Sequence, residues 1–191
     1  MDYKDPKLDA EILKSVMKGK SKNEDKIIEI ITNRTNEQRQ KIKEEYNSLY
    51  NSDLIKDLQS ALSGHFEDVV VALFYLPVDY DCYQLRKAVK GLGTDENALI
   101  EILATRPPET IEEIKKRYSE MYPGRTLIKD IEGDTSGSFK KILLALLDAK
   151  RPTNNQPDYE ECEKCAKLLY ESSKQKKKCC RNFYKNFYRK I

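Results

Sequence analysis

The sequence predicts an all-α protein: two five-helix repeats, then a partial third repeat and a basic, aromatic tail. Three observations carry that expectation. Charged residues make up 35% of the chain and hydrophobic ones 39%, with only seven glycines and seven prolines, which suits helices with charged outer faces. Apolar residues recur at steps of three and four, the spacing of one helix face, and no stretch of strand length alternates. The pattern also returns: Gly19 and Gly91, Arg34 and Arg106, and Tyr46 and Tyr118 are 72 positions apart. Gly64 and Gly137, like Phe66 and Phe139, are 73 apart, so one residue is inserted between the third and fifth helices.

In the first repeat, Ile12, Leu13, Val16 and Met17 form one stripe of a helix over 9–19 that Gly19 ends. A second helix over 24–33 carries Ile27, Ile28, Ile30 and Ile31. Thr35 to Gln38 is a capping box, in which the Thr hydroxyl and the Gln amide satisfy each other's free backbone N–H groups. It opens a longer helix with Ile42, Tyr46, Leu49 and Tyr50 on its stripe. Asp53 starts a short helix through Leu54, Ile55, Leu58 and Leu62, and Ser63-Gly64 breaks it. Residues 66–76 are almost wholly apolar, which predicts a helix central to the core, and Pro77 is expected to stop it.

The second repeat follows the same order. Ile100, Ile102 and Leu103 replace the isoleucines of the second helix, and Pro107-Pro108 suits a helix opening. Ile111, Ile114, Tyr118 and Met121 make the next stripe, and Pro123-Gly124 turns the chain. Phe139, Ile142, Leu143, Leu146 and Leu147 line the closing helix. Residues 152–157 read as a linker, and 159–172 as one more amphipathic helix with Cys162, Cys165, Ala166, Leu169 and Tyr170 on a face, the cysteines packing as small hydrophobes. The boundaries are therefore 1–8 for an N-terminal segment, 9–78 and 79–151 for the repeats, and 152–191 for the linker, partial repeat and tail.

Charge is unevenly placed. Residues 152–191 hold ten Lys or Arg against five Asp or Glu, so of the net charge of +3 the tail supplies +5 and the rest −2. The first five residues contain no apolar run and no glycine at position 2, which predicts neither a secretory signal nor N-myristoylation. The apolar runs at 69–76 and 142–147 are too short to span a bilayer. Five cysteines without a framework spacing predict a reduced, cytoplasmic chain.

The stretch from Val89 to Glu96, Val-Lys-Gly-Leu-Gly-Thr-Asp-Glu, concentrates the chemistry. Its two glycines permit φ > 0, so a turn here can aim several carbonyl oxygens at one point. Carbonyls with a carboxylate suit a hard cation such as calcium. The simpler reading is a helix–helix turn with Thr94 as N-cap.

Taken together, 85–96, 100–106 and Asp134-Thr-Ser-Gly-Ser-Phe139 resemble the annexins in order and spacing. The first repeat matches through Met17-Lys-Gly19, Asn33 to Gln40 and Ser63-Gly-His-Phe66, and 163–170 resembles the first helix of a third repeat. Annexins usually carry four repeats, so the resemblance is to a half-length member. It implies calcium-dependent binding to acidic phospholipid membranes. Carried over residue by residue, the main calcium site takes the carbonyls of Val89, Gly91 and Gly93 and the carboxylate of Asp134. Thr94 and Glu96 match a weaker secondary site. Leu92 at the loop tip, with Lys90 beside it, is expected to meet the membrane. Three carbonyls and a bidentate carboxylate leave about two of the usual 6–8 positions open, and the low ligand charge suggests affinity near ~10⁻⁴–10⁻³ M. Asp134 is also expected to cap the fifth helix. Repeat 1 departs from the pattern: Gly19-Lys20-Ser21-Lys22 lacks the second glycine, and Ala61 stands where a carboxylate is needed, so this repeat is expected to be structural.

In the tail, Lys176, Lys177 and Lys178 with Phe183, Tyr184, Phe187 and Tyr188 offer a calcium-independent membrane contact, and Cys179 and Cys180 a place for acylation. Nucleic acid ranks below lipid as a partner, and zinc on the tail cysteines ranks lower still. His65, the sole histidine, has no nucleophile pattern around it, so no enzyme is expected. The competing reading is a structural or cytoskeletal interaction protein with vestigial calcium sites. Helix faces that a longer annexin would bury also predict homo-oligomerisation. The expected location is the cytoplasm, and the membrane periphery when calcium is bound.

Overall fold

The computed structural model describes residues 5–18, 23–149 and 159–174; among them there are eleven helices and no strand. The all-α expectation holds. The chain divides into two compact units, Met1–Tyr80 and Asp81–Ile191.

The first unit holds α1 (Pro6–Val16), α2 (Glu24–Thr32), α3 (Asn36–Tyr50), α4 (Leu54–Ala61) and α5 (Gly64–Leu73). Their starts are chemical. The Asp5 carboxylate accepts from the Lys7 N–H with Pro6 in the first turn, Asn23 accepts from Lys26, and Asp53 from Ile55. The capping box at Thr35 and Gln38 forms in both directions. α1 packs on α2 and α3, and α4 on α3 and α5. Leu13, Ile27, Ile42, Leu54, Leu58, Val70 and Phe74 close the core. Burying each aliphatic side chain contributes about 1.5–3 kcal/mol.

Two expectations need correction. The apolar run after Ser63 is helical only to Leu73, and Val69 is 58% exposed, so one face of α5 is buried rather than the whole helix. Pro77 does not end that helix; it opens α6 (Pro77–Ala88), where its missing N–H costs nothing. Side chains at the start of α3 receive the end of α5: Arg39 Nε donates to the Leu73 carbonyl at 2.7 Å and Gln40 to that of Phe74 at 3.0 Å.

The second unit takes α6 from Asp81 onward, then α7 (Glu96–Thr105), α8 (Pro108–Met121), α9 (Leu127–Asp134), α10 (Gly137–Leu147) and α11 (Tyr159–Lys174). Pro108 stands in the first turn of α8, as expected. α10 packs on α7 and α9, and α8 on α9. On α11, Tyr159, Leu168 and Tyr170 are exposed, and so is Cys162. The expectation that Cys162 packs inside is therefore corrected. The helix is supported by its own charge pairs, Lys167 to Glu163 at 2.7 Å among them, and one amphipathic face alone leaves its apolar side in water.

Two polar constellations recur at the repeat spacing, and neither was given a role by the sequence. Arg34 holds the buried Asp9 with two bonds, 2.6 Å from Nε and 2.8 Å from a terminal nitrogen. Arg106 holds Asp81 in the same way at 2.7 and 2.9 Å, and that contact raises the guanidinium pKa further. The signal was present: both acids precede their arginines by 25 positions. In the second constellation the buried Tyr46 donates to Asp57 at 2.6 Å, with Lys14 at 2.9 Å and Ser52 at 3.0 Å. Its counterpart is Tyr118 on Asp130 at 2.6 Å, with Arg86 at 3.1 Å and Arg125 at 3.0 Å. Burial and the Asp57 contact push the Tyr46 hydroxyl up to about 12, and Tyr118 moves in the same direction.

Candidate functional site

The candidate calcium loop leaves α6 at Ala88 and enters α7 at Glu96. Gly91 adopts φ +116° and Gly93 φ +89°, values that side chains strongly resist, so both glycines are required by the backbone. The Asp95 N–H returns to the Ala88 carbonyl at 3.0 Å and closes the loop across its base. Val89 is buried, whereas Lys90, Gly91 and Gly93 are exposed, and Leu92 at 108% relative exposure stands clear of the fold.

Asp95, not Thr94, caps α7; its carboxylate accepts from the Ala98 N–H at 3.1 Å. The Thr94 hydroxyl is turned elsewhere. It lies 2.6 Å from Asp134 Oδ2 and 3.1 Å from the Asp134 carbonyl, and its single proton belongs to the shorter, charged contact. This brings the half-buried Asp134, the last residue of α9, to the loop. Asp134 does not cap the next helix: Ser136 holds the N-cap position of α10 and makes no side-chain cap bond. Behind it the Thr135 hydroxyl donates to the Ile131 carbonyl at 2.6 Å and fixes the end of α9. Glu96 is exposed in the first turn of α7.

Among the described residues no three His, Cys, Asp or Glu side chains gather in a way that would hold a metal. A cation at this loop would therefore rest chiefly on main-chain oxygens with one carboxylate. That donor set fits calcium, a hard ion of flexible geometry, and lacks the nitrogen and sulfur that zinc prefers.

In repeat 1, Ala61 ends α4 as Asp134 ends α9, and it is buried with no carboxylate to offer. Residues 19–22, with Lys20 and Ser21, lie outside the described residues, as do Lys176, Lys177, Lys178, Cys179, Cys180, Phe183, Tyr184, Phe187 and Tyr188. His65 is fully exposed, its ring 3.9 Å from Asp68. No described helix is long and apolar enough to cross a membrane.

The annexin family profile matches residues 8–73 and 80–146, the two repeats in order. The chain belongs to the annexin family. It is 44% identical over 164 residues to human annexin A7, a match that takes in 86% of this chain and 33% of that protein. The solved structure of chicken annexin V matches with TM-score 0.80 and 38% identity, over 92% of this chain and 55% of that one. Calcium-bound annexin (Sm)1 matches with TM-score 0.62 and 33% identity, over 87% and 53%. This annexin chain thus spans a third of human annexin A7 and just over half of the two solved annexins. Annexins are known in general for calcium-dependent phospholipid binding, and calcium is typical of the family.

Proposed function

We propose that this annexin chain binds acidic phospholipid surfaces in a calcium-dependent way through the loop of repeat 2. The carbonyls of Val89, Gly91 and Gly93 and the Asp134 carboxylate are the main ligands; Thr94 and Glu96 belong to a weaker secondary site. The observation that carries this reading is the contact of Thr94 with Asp134, which sets a carboxylate beside two positive-φ glycines from forty positions away. Held by these oxygens, calcium would supply the positive charge and Lewis acidity that an anionic lipid phosphate needs at this loop.

The residues divide the work. Gly91 and Gly93 shape the turn, and Asp134 contributes the formal negative charge that carbonyls lack. Leu92 presents an apolar side chain to the interfacial region, with Lys90 beside it for anionic headgroups. Lipid oxygens completing the coordination shell would couple the two affinities, each ligand strengthening the other. Vesicle cosedimentation with Asp134→Ala tests the assignment: calcium-dependent binding should disappear, and its survival at the same calcium concentration would remove Asp134 from the site.

A second reading has its own support. Val69, Leu76, Ile128 and Ile142 are exposed apolar residues on the two units, which favours association with another chain, a second copy first of all.

A further inference from the structure

Repeat 1 has no calcium chemistry to offer at Ala61, yet that corner of the fold is not featureless. An open cleft of about 400 Å³ lies there, lined by Lys14, Met17, Lys18, Tyr46, Ser60 and Ala61, with Asp57 on one wall. The internal repeat gives the cleft its meaning. Met17, Lys18 and Ala61 correspond to Val89, Lys90 and Asp134, so the cleft occupies in repeat 1 the corner that the candidate calcium site occupies in repeat 2.

The charges there are inverted. Repeat 2 presents oxygens and a carboxylate, which require a cation before a phosphate can approach. Among the described residues, the repeat 1 cleft presents two ammonium groups, Lys14 and Lys18, against one carboxylate, Asp57. Lys14 Nζ sits 2.9 Å from Asp57 Oδ2 and 5.2 Å from the ring centroids of both Tyr46 and Tyr50, so its position is fixed. The Asp57 contact raises its pKa, which keeps it charged. An ammonium has three N–H donors and Asp57 engages one. Lys18 lies four residues on, just past the end of α1, exposed and in no ion pair among the described residues. Ser60 adds a hydroxyl, which now donates to the Lys56 carbonyl at 2.9 Å. The methyl group of Ala61 leaves the space that a carboxylate fills in repeat 2.

We infer that this cleft is a calcium-independent phosphate site, with Lys14 and Lys18 as the cationic groups, Ser60 as a hydroxyl donor and Ala61 as the residue that leaves it open. The two repeats then address one chemistry, a phosphate group, by opposite means. The phosphate can belong to a lipid headgroup or be free in solution. This site is independent of the calcium assignment, since it shares no residue with it.

The test uses the full chain carrying Asp134→Ala, in chelator, so that failure of the calcium reading cannot be mistaken for failure of this one. Two probes are applied: inorganic phosphate, followed by the ¹³C-methyl resonance of Met17 in the cleft wall, and vesicles containing phosphatidylserine against pure phosphatidylcholine. Phosphate should move the Met17 resonance, and Lys18→Glu should abolish the movement. For vesicles, one lysine at an anionic surface is worth about fivefold, so Lys18→Ala should weaken binding about fivefold and Lys18→Glu about 25-fold with the tail intact. Ala61→Asp, which places one negative charge in the same space, should weaken vesicle binding about fivefold, as Lys18→Ala does, and should also suppress the Met17 movement. A Met17 response without a vesicle effect assigns the site to free phosphate, and the reverse assigns it to the headgroup. An unmoved Met17 together with unchanged vesicle binding in Lys18→Glu overturns the inference. Lys18 is exposed, so its variants should unfold like the parent, which circular dichroism checks; Ala61 is buried, so Ala61→Asp counts only where circular dichroism shows the parent fold.

Discussion

The hydroxyl of Thr94 lies 2.6 Å from Asp134 Oδ2 and ties the entrance of α7 to the last residue of α9. A charge-assisted contact of this length restricts the carboxylate to few rotamers, and holding it beside the loop lowers the entropy lost on coordination. Thr94→Val should therefore raise the calcium concentration needed for lipid binding by roughly five- to tenfold, in line with about 1–1.5 kcal/mol for such a bond. Thr94→Ser should keep most of the parent affinity, because it retains the hydroxyl. Equal loss in both variants would mean that the methyl group, not the hydrogen bond, matters.

The glycines give a second prediction. A Cβ at Gly91 or Gly93 would meet no atom within 4 Å, so substitution there is opposed by backbone conformation and not by packing. Gly91→Ala and Gly93→Ala should each cost about 1–3 kcal/mol if the loop keeps its shape. If the loop relaxes instead, stability is regained and calcium affinity falls. Urea denaturation and lipid titration on the same variants separate the two outcomes.

The buried acid–arginine pairs allow a comparison within one chain. Asp9 and Arg34 are both nearly buried, whereas the side chain of Arg106, opposite Asp81, is 40% exposed. Removing one partner of a buried pair strands the other charge, at about 3–5 kcal/mol. Asp9→Ala should approach that range, and Asp81→Ala should cost less because water can reach Arg106. Comparable urea midpoints for the two variants would contradict this.

Acid stability should depend on Asp57. Hydrogen bonds from Tyr46 first and Lys14 second hold its carboxyl below the usual carboxylate pKa. A group depressed in the folded state adds stability above its unfolded pKa, and that stability is lost as pH falls through the folded value. The contribution should be complete above about pH 4, the usual carboxylate region, and decline below it. Asp57→Asn should lower the melting temperature at pH 7 and flatten the acid limb of a plot of melting temperature against pH.

Much of this was legible in the residues. The 72-residue return, the capping box at Thr35 and the glycines at 91 and 93 each reflect a local rule, so they survive into the structure unchanged. What was misread depended on three-dimensional neighbours. Thr94 is a good N-cap by type, but Asp95 takes that role because the loop closes through its N–H on Ala88. Val69 is as apolar as Val70, yet only Val70 meets the core, since a helix of ten residues buries one side. The acids at 9, 57, 81 and 130 carried no local signature, because Arg34, Tyr46 and Lys14, Arg106, and Tyr118 and Arg86, which hold them, lie 11 to 44 positions away.

Exposed apolar residues on both units favour self-association. Sedimentation velocity should show a weight-average mass that rises with concentration. Charged substitutions at Val69 and Ile142 should reduce it without lowering the melting temperature, because neither side chain is in the core. A monomer at every concentration would remove this reading.

The account rests most heavily on the pairing of the Gly91–Gly93 loop with Asp134. Cosedimentation of the full chain with phosphatidylserine vesicles, with and without calcium, measures it directly. The prediction is binding that requires calcium, reverses with chelator and is lost in Asp134→Ala. Calcium-dependent binding that persists undiminished in Asp134→Ala would contradict it.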